Sequence, residues 1–479
     1  MKFSSKHPIL IYASASLFGF YSATDLSPWL SIPLTAFFFL DRNRLLLCAI
    51  LFCTFFAYSK INYPTLSIPP EGIHCQVLFT PSSVAASRSA FGTQWIYQGT
   101  ATTLLQKNTV PCQIRLPKRA SALRPPADRS YMIKGILKPG YGYQTSLYPD
   151  KEEPWLPIKG TWTPTEWRYA SKQWVKGYVS RHYSPFQSAE FLGGILTGDF
   201  EDQAIKRSFG RAGLQHILAI SGFHFTILTA VFLFFLRLLL PPKWALNTLL
   251  ILLCSYFVFL GCGASILRAF LMSLCAIIGL LCRLSPVALN SLGFAVFAIL
   301  AIDPLLVFSI GFVFSFSVTA SILLFFPSTL KLLNAIFPSR EAHVLKQMGI
   351  ADQHCYLIVT AAKNTLALAL AVNLTAIPLT LFFFGKFPLI SLLCNLVVPL
   401  MVSISMFLFI LGIFIPWLHG LNQFLVRILL DFVDQLPAPL HVHWRLPLNK
   451  PALLGWLTAA ALLGIWGWRK AERRLEIIY

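Results

Sequence analysis

The stretch Gly213-Leu-Gln-His-Ile-Leu-Ala-Ile-Ser-Gly-Phe-His-Phe225 opens an apolar run that continues to Leu240 with one charge, Arg237. A run of this length matches the roughly 20 residues that a helix needs to cross a hydrocarbon core about 30 Å thick. Runs of the same kind follow at Trp244 to Cys262, Ala264 to Cys282, Pro286 to Ile302, Leu305 to Phe326, Thr365 to Phe384, Pro388 to Ile415 and Pro451 to Trp466. Shorter ones precede it at Ile9 to Thr24, Pro28 to Leu40 and Leu45 to Tyr58, the first read as an anchor and not as a cleaved leader. The composition agrees: 56% of the 479 residues are hydrophobic and 12% are charged, which excludes an ordinary soluble domain. The expected fold is a polytopic α-helical membrane protein of about 10–12 transmembrane helices, divided as residues 1–59, 187–469 and a basic tail at 470–479, with a soluble insertion at 60–186.

That insertion carries sixteen Lys/Arg against six Asp/Glu. Ile73, Cys75, Val77 and Phe79 alternate with other residues, as do Val110, Cys112, Ile114 and Leu116, and this period of two marks strands with one buried face. Trp95 to Leu105 and Tyr131 to Leu137 read as further strands, so a small β-barrel is expected. Lys2 and Lys6, then Asp25, then Arg42 and Arg44 alternate as a cytoplasmic N-terminus requires, and three crossings then put the barrel outside the cell. Trp95, Tyr97, Tyr131, Tyr141, Tyr143, Tyr148 and Trp155 lie among the basic residues. Such a mixture suits single-stranded nucleic acid, whose bases stack on aromatic faces, or equally a surface resting on anionic headgroups. Cys75 and Cys112 form a candidate disulfide, with two buried free thiols as the alternative. Seven other cysteines (Cys48, Cys53, Cys254, Cys262, Cys275, Cys282, Cys394) sit in apolar runs as packing residues, and no spacing points to a metal.

Polar residues inside apolar runs are costly and usually face a cavity or another helix. Gln215, His216, Ser221, Gly222 and His224 open the first long run, and Ser-Gly permits a helix break of the kind that lines a water-filled space. The bland alternative is a small-residue helix crossing with His224 bonded to a carbonyl. A third reading, an intramembrane hydrolase using Ser221 and a histidine, is weak because no GxSxG elbow is present. Arg268 stands near the start of another run, where it either snorkels to headgroups or offers a guanidinium to a phosphate. Asn373 and Asn395 are amides within spans, as helix-helix glue or as path-lining groups.

Gly213-Leu214-x-His216-Ile217-Leu218-Ala219-Ile220-Ser221-Gly222-Phe223-His224 resembles the signature of the ComEC family of competence proteins. Arg268-Ala269-x-x-Met272, Asp303-Pro304, Gly311-Phe312-x-x-Ser315-Phe316 and Asn395-x-x-x-Pro399 follow in that family's order. Departures are Phe223 and Ile217, each where the family has Leu. The resemblance implies a channel in the bacterial cytoplasmic (inner) membrane that imports single-stranded DNA during natural transformation, with an OB-like outer domain. It also implies receptor, helicase or motor, and nuclease partners, besides membrane lipids and a possible homo-oligomer. Many members carry a metallo-β-lactamase-like domain marked by His-x-His-x-Asp-His; here His441-Val-His443 continues as Trp-Arg-Leu. The expectation is therefore a short form that is a channel and not an enzyme, with no cofactor and no metal. No GxxxxGK[ST] loop appears, so the driving energy would come from elsewhere. A small-molecule or lipid-linked transporter is the alternative function.

The span count leaves the tail outside, whereas Arg469, Lys470, Arg473 and Arg474 argue for inside. Either Trp417 to Leu436 lies along the surface as an amphipathic helix, or Pro388 to Ile415 hides a re-entrant turn near Asn395.

Overall fold

A computed structural model describes residues 6–24, 42–62, 68–89, 92–103, 109–118, 124–140, 144–150, 153–218, 222–284, 287–338, 340, 342–437 and 442–476. The expected Pro28 to Leu40 run, Ser221, Tyr141, Tyr143 and His441 lie outside these residues.

The insertion folds as six strands, β1 (Ile73–Ser89), β2 (Gly92–Thr103), β3 (Thr109–Pro117), β4 (Tyr131–Pro139), β5 (Thr145–Pro149) and the short β6 (Leu156–Pro157). The order β1-β2-β3-β5-β4, with β4 pairing back onto β1, closes five of them into a barrel. The β3–β5 contact is parallel and the others antiparallel, the arrangement of an OB fold. Alternation does what the sequence expects: Val77, Phe79, Ile114, Ile133, Leu137 and Leu147 fill the interior.

The rest of the described chain is mainly helical, beginning with α1 (Pro8–Thr24) and α2 (Arg42–Asn62). Tyr12 meets Arg44 and Phe20 meets Tyr58, so these two run in the same direction, as three early crossings require. After the barrel come α3 (Thr165–His182), α4 (Phe186–Thr197), α5 (Gln203–Arg211) and the single turn α6 (Gln215–Leu218). The membrane part continues with α7 (Gly222–Leu239), α8 (Pro242–Leu260), α9 (Ala264–Leu281) and α10 (Ala288–Ile302). Then follow α11 (Ile310–Ile336), α12 (Ala342–Gln347), α13 (Ile350–Phe384), α14 (Ser391–Phe414), α15 (Leu418–Asp434) and α16 (Lys450–Glu476). Among the described residues seven helices are long and apolar enough to span a bilayer, and α1, α7 and α10 are shorter apolar helices. The chain is a multi-pass membrane protein with an OB-like barrel.

Helix directions follow from side-chain contacts. Ser265 at the start of α9 bonds the carbonyl of Gly311 at the start of α11, and α11 and α13 are antiparallel, with Ser321 bonded to Ala371. Gly464 of α16 packs on Leu324 and Gly467 near Ser328, so α16 runs parallel to α11 and ends on the face away from the barrel. Lys6 and His7 lie against Trp468, which brings the start of α1 and the Trp468 turn of α16 together on that face. Close crossings use small residues: Gly19 sits on the backbone of Phe52, and Gly293 on that of Leu10.

One alternative at the C-terminal half is decided. The stretch 391–414 is one continuous helix containing Asn395 and Pro399, so there is no re-entrant turn at Asn395. The amphipathic 418–434 helix buries Val426, Leu429, Leu430 and Val433 in a core shared with α4, α5 and α14, while Leu421, Phe424 and Ile428 are exposed.

Candidate DNA path

The membrane site is built where α7, α9 and α11 begin. Arg268 lies one turn into α9, and only 9% of its surface is exposed. Its Nε donates to Ser315 Oγ at 2.7 Å and its Nη1 to Thr319 Oγ1 at 2.5 Å, both on α11. Met272 Sδ lies 3.8 Å from Nη1. Ser315 and Thr319 are four apart, hence on one helix face. The remaining nitrogen, Nη2, occupies the space beside Gly222 where any other residue would place its Cβ. No carboxylate pairs with Arg268 among the described residues. A buried cation balanced only by neutral hydroxyls carries a large desolvation cost, so an intramembrane charge of this kind points to function. It does not snorkel outward, which corrects that expectation: its stem turns inward between three helices.

His224, two residues past Gly222, is buried at 1% exposure. His216, on α6, is exposed. Among the described residues α6 ends at Leu218 and α7 begins at Gly222, and residues 219–221 between them lie outside the described set. Gly213, in a left-handed conformation (φ +72), packs on Ser391 and Pro388 at the start of α14. A turn of positive φ in that tight contact requires glycine. Ser391 Oγ and, one turn later, Asn395 Oδ1 are buried without a hydrogen-bond partner.

The structure therefore brings Arg268 against Gly222, with His224 two residues further along α7. It does not bring in Asn373, whose amide donates to Ala369 of its own helix at 2.9 Å, and Asn395 is not among the hydrogen-bond partners of Arg268. Thr319 was missed by the sequence reading, although a hydroxyl four residues after Ser315 in an apolar run was a usable signal.

The barrel corrects the aromatic expectation. Tyr97 and Tyr131 are core residues that donate to the carbonyls of Pro125 and Pro126, each at 2.6 Å. Trp155 plugs the barrel between Phe79, Tyr97 and Tyr131. Trp95 is covered by Lys118 and Arg124, and Tyr148, 57% exposed, has the Lys138 ammonium over its ring. Cys75 and Cys112 are free thiols here and not bridged. They sit on β1 and β3, strands that do not neighbour each other in the sheet.

A latch joins the barrel to the spans. Arg124 and Glu166 form a two-point ion pair (Nη1–Oε2 2.9 Å), Glu166 also accepts from the Ala127 amide at 2.7 Å, and Trp95 and Tyr169 flank the guanidinium. Two residues on, Arg168 Nε donates to the Val258 carbonyl in the last turn of α8 at 2.9 Å. Lys172–Asp199 and Lys176–Glu201 pairs hold α3 to the α4–α5 loop, whose Glu201 carbonyl accepts from Arg88 of β1. The barrel is thus fixed over the Gly261–Gly263 turn that leads into α9 and Arg268.

ComE operon protein 3 of Bacillus subtilis (strain 168) is 26% identical over 219 residues, 45% of this chain and 25% of that protein. The chain thus matches about a quarter of that relative's length. No solved structure matches. The family model described as "Competence protein" matches residues 197–473, from the end of α4 through most of α16, and the chain belongs to that family.

Proposed function

We propose that this protein is a channel importing single-stranded DNA across the bacterial cytoplasmic membrane in natural transformation, with the basic barrel meeting DNA first. The observation that carries the reading is Arg268: a buried guanidinium paired with no carboxylate among the described residues, held by Ser315 and Thr319 against Gly222, at the barrel end of three apolar helices. A phosphate is the counter-ion such a fork suits best. His216, His224 and the Asn395 side chain supply further polar groups along the path, with Asn373 as a more distant candidate and Ser221 as a candidate from the sequence motif alone. Passage needs such a path, because phosphates cannot be stripped of water into hydrocarbon.

Orientation supports an extracytoplasmic barrel. Arg237 and Lys243 flank the α7–α8 turn and Arg283 follows α9, all on the face away from the barrel, where the start of α1 and the Trp468 turn of α16 also lie. That face is the positive, cytoplasmic one. Motor, receptor and nuclease functions belong to partners in this reading, and the channel itself performs no catalysis.

The test is uptake of labelled DNA by cells carrying wild type, Arg268→Ala or His224→Ala at matched membrane levels. Surface DNA binding with lost internalisation in the variants is expected. Normal internalisation after deletion of the whole gene refutes the DNA channel and favours a small-molecule or lipid-linked transporter.

A further inference from the structure

Helix α3 is polar along most of its length, yet it displays a stripe of large aromatic residues. Trp167 and Trp174, seven apart and so on one face, are 54% and 72% exposed, and Trp162 just before the helix is 75% exposed. Ala170 and Arg181 share the stripe, which lies opposite the buried Thr165, Lys172 and Val179. No acidic side chain is on it. Water is a poor environment for two open indoles in a row, and such patches mark contact surfaces.

The position of the helix identifies the contact. Arg168, next to Trp167, donates to the carbonyl of Val258 at the end of a spanning helix, so this part of α3 sits at the bilayer boundary. Val258 is itself 46% exposed, and Ile251 and Leu252 on the same helix are 66% and 36% exposed. The stripe continues the lipid-facing surface of α8. Indole rings are favoured at that depth, with the ring against acyl chains and the N–H toward headgroups. Stacked single-stranded DNA would need a cation near each ring; Lys172 and Lys176 are turned to Asp199 and Glu201, which leaves Arg181, two turns beyond Trp174, as the cation on the stripe.

We infer that α3 lies in the headgroup layer of the barrel-side leaflet and binds phospholipid through Trp167 and Trp174, with Arg181 toward lipid phosphate. The barrel is thereby held at a set height through the Arg124–Glu166 latch. This holds whatever the cargo of the channel.

The full chain, carrying Trp167→p-benzoylphenylalanine or Trp174→p-benzoylphenylalanine, is reconstituted in phosphatidylethanolamine/phosphatidylglycerol vesicles containing radiolabelled lipid. It is then irradiated with and without an oligonucleotide. The same photoprobe at Val258 gives the lipid-facing reference, and at Tyr148 the solvent-exposed one. Lipid adducts close to the Val258 yield and several-fold above the Tyr148 yield are expected. Lipid yields at the Tyr148 level, or adducts mainly to the oligonucleotide or to a second copy of the chain, overturn the inference. Should a substituted chain fail to insert, the probe at Ala170 on the same stripe reads the same surface.

Discussion

The guanidinium of Arg268 occupies the space that a side chain at Gly222 would fill. Glycine in this motif is therefore a matter of room: α7 must come close enough to α9 for the cation to lie across its first turn. Gly222→Ala should displace Arg268 from its hydroxyl partners and abolish DNA import while the protein still inserts. Overpacking of this kind costs about 1–3 kcal/mol, read as a lowered melting temperature in detergent beside the uptake assay.

Ser315 and Thr319 are the two acceptors that make a buried Arg268 tolerable. Ser315→Ala or Thr319→Val leaves a buried donor unmatched, at about 1–3 kcal/mol each. Arg268→Met removes the charge itself, and replacing a buried ion by an apolar residue of similar volume is often neutral or stabilising. Stability should hold in Arg268→Met while import is lost, a split that a purely structural arginine would not produce.

Arg124 anchors the barrel by pairing with Glu166 under the rings of Trp95 and Tyr169. Arg124→Ala should loosen the barrel from α3 by about 2 kcal/mol, a value between exposed and buried pairs because both side chains keep some solvent. Hydrogen exchange would show faster amides in 124–130 and at the start of α3, with spans unchanged.

Glu201 links α3 to the α4–α5 loop. Burial pushes its carboxyl up, but Lys176, Gln173 and Arg88 together outweigh that and hold it below the usual 4.5. A depressed carboxyl contributes stability that is present above the unfolded value and lost as pH falls through the folded one. Exchange protection of this contact should therefore fall on acidification below about pH 4.5, and Glu201→Gln should remove the acid limb.

Cys112 is 1% exposed, and burial raises its thiol to about 11. In the reduced, folded protein it should alkylate far more slowly than Cys75, which is half-buried and less strongly raised. Peptide mapping after timed iodoacetamide treatment at pH 8 measures the difference, because only the thiolate reacts.

The strand alternation of 73–79 and 110–116 and the long apolar runs were legible because each reflects a local period or length set by backbone geometry and bilayer thickness. The same holds for the motif at 213–224, whose polar residues stand out against their surroundings. Aromatic residues were misjudged for a related reason. Tyr97, Tyr131 and Trp155 have the composition of a stacking surface, yet closure of the barrel turns all three inward.

By itself the sequence determined a multi-pass protein with a basic barrel and a polar motif at the start of a spanning segment, since hydropathy and alternation are properties of contiguous residues. Only the tertiary structure decided that Arg268 meets Gly222, Ser315 and Thr319, that Asn373 stays apart, that α14 is unbroken at Asn395, and that the start of α1 and the Trp468 turn of α16 share the face opposite the barrel. Those facts depend on which helices cross and how closely, and close approach is set by small residues and side-chain fit between segments far apart in the chain.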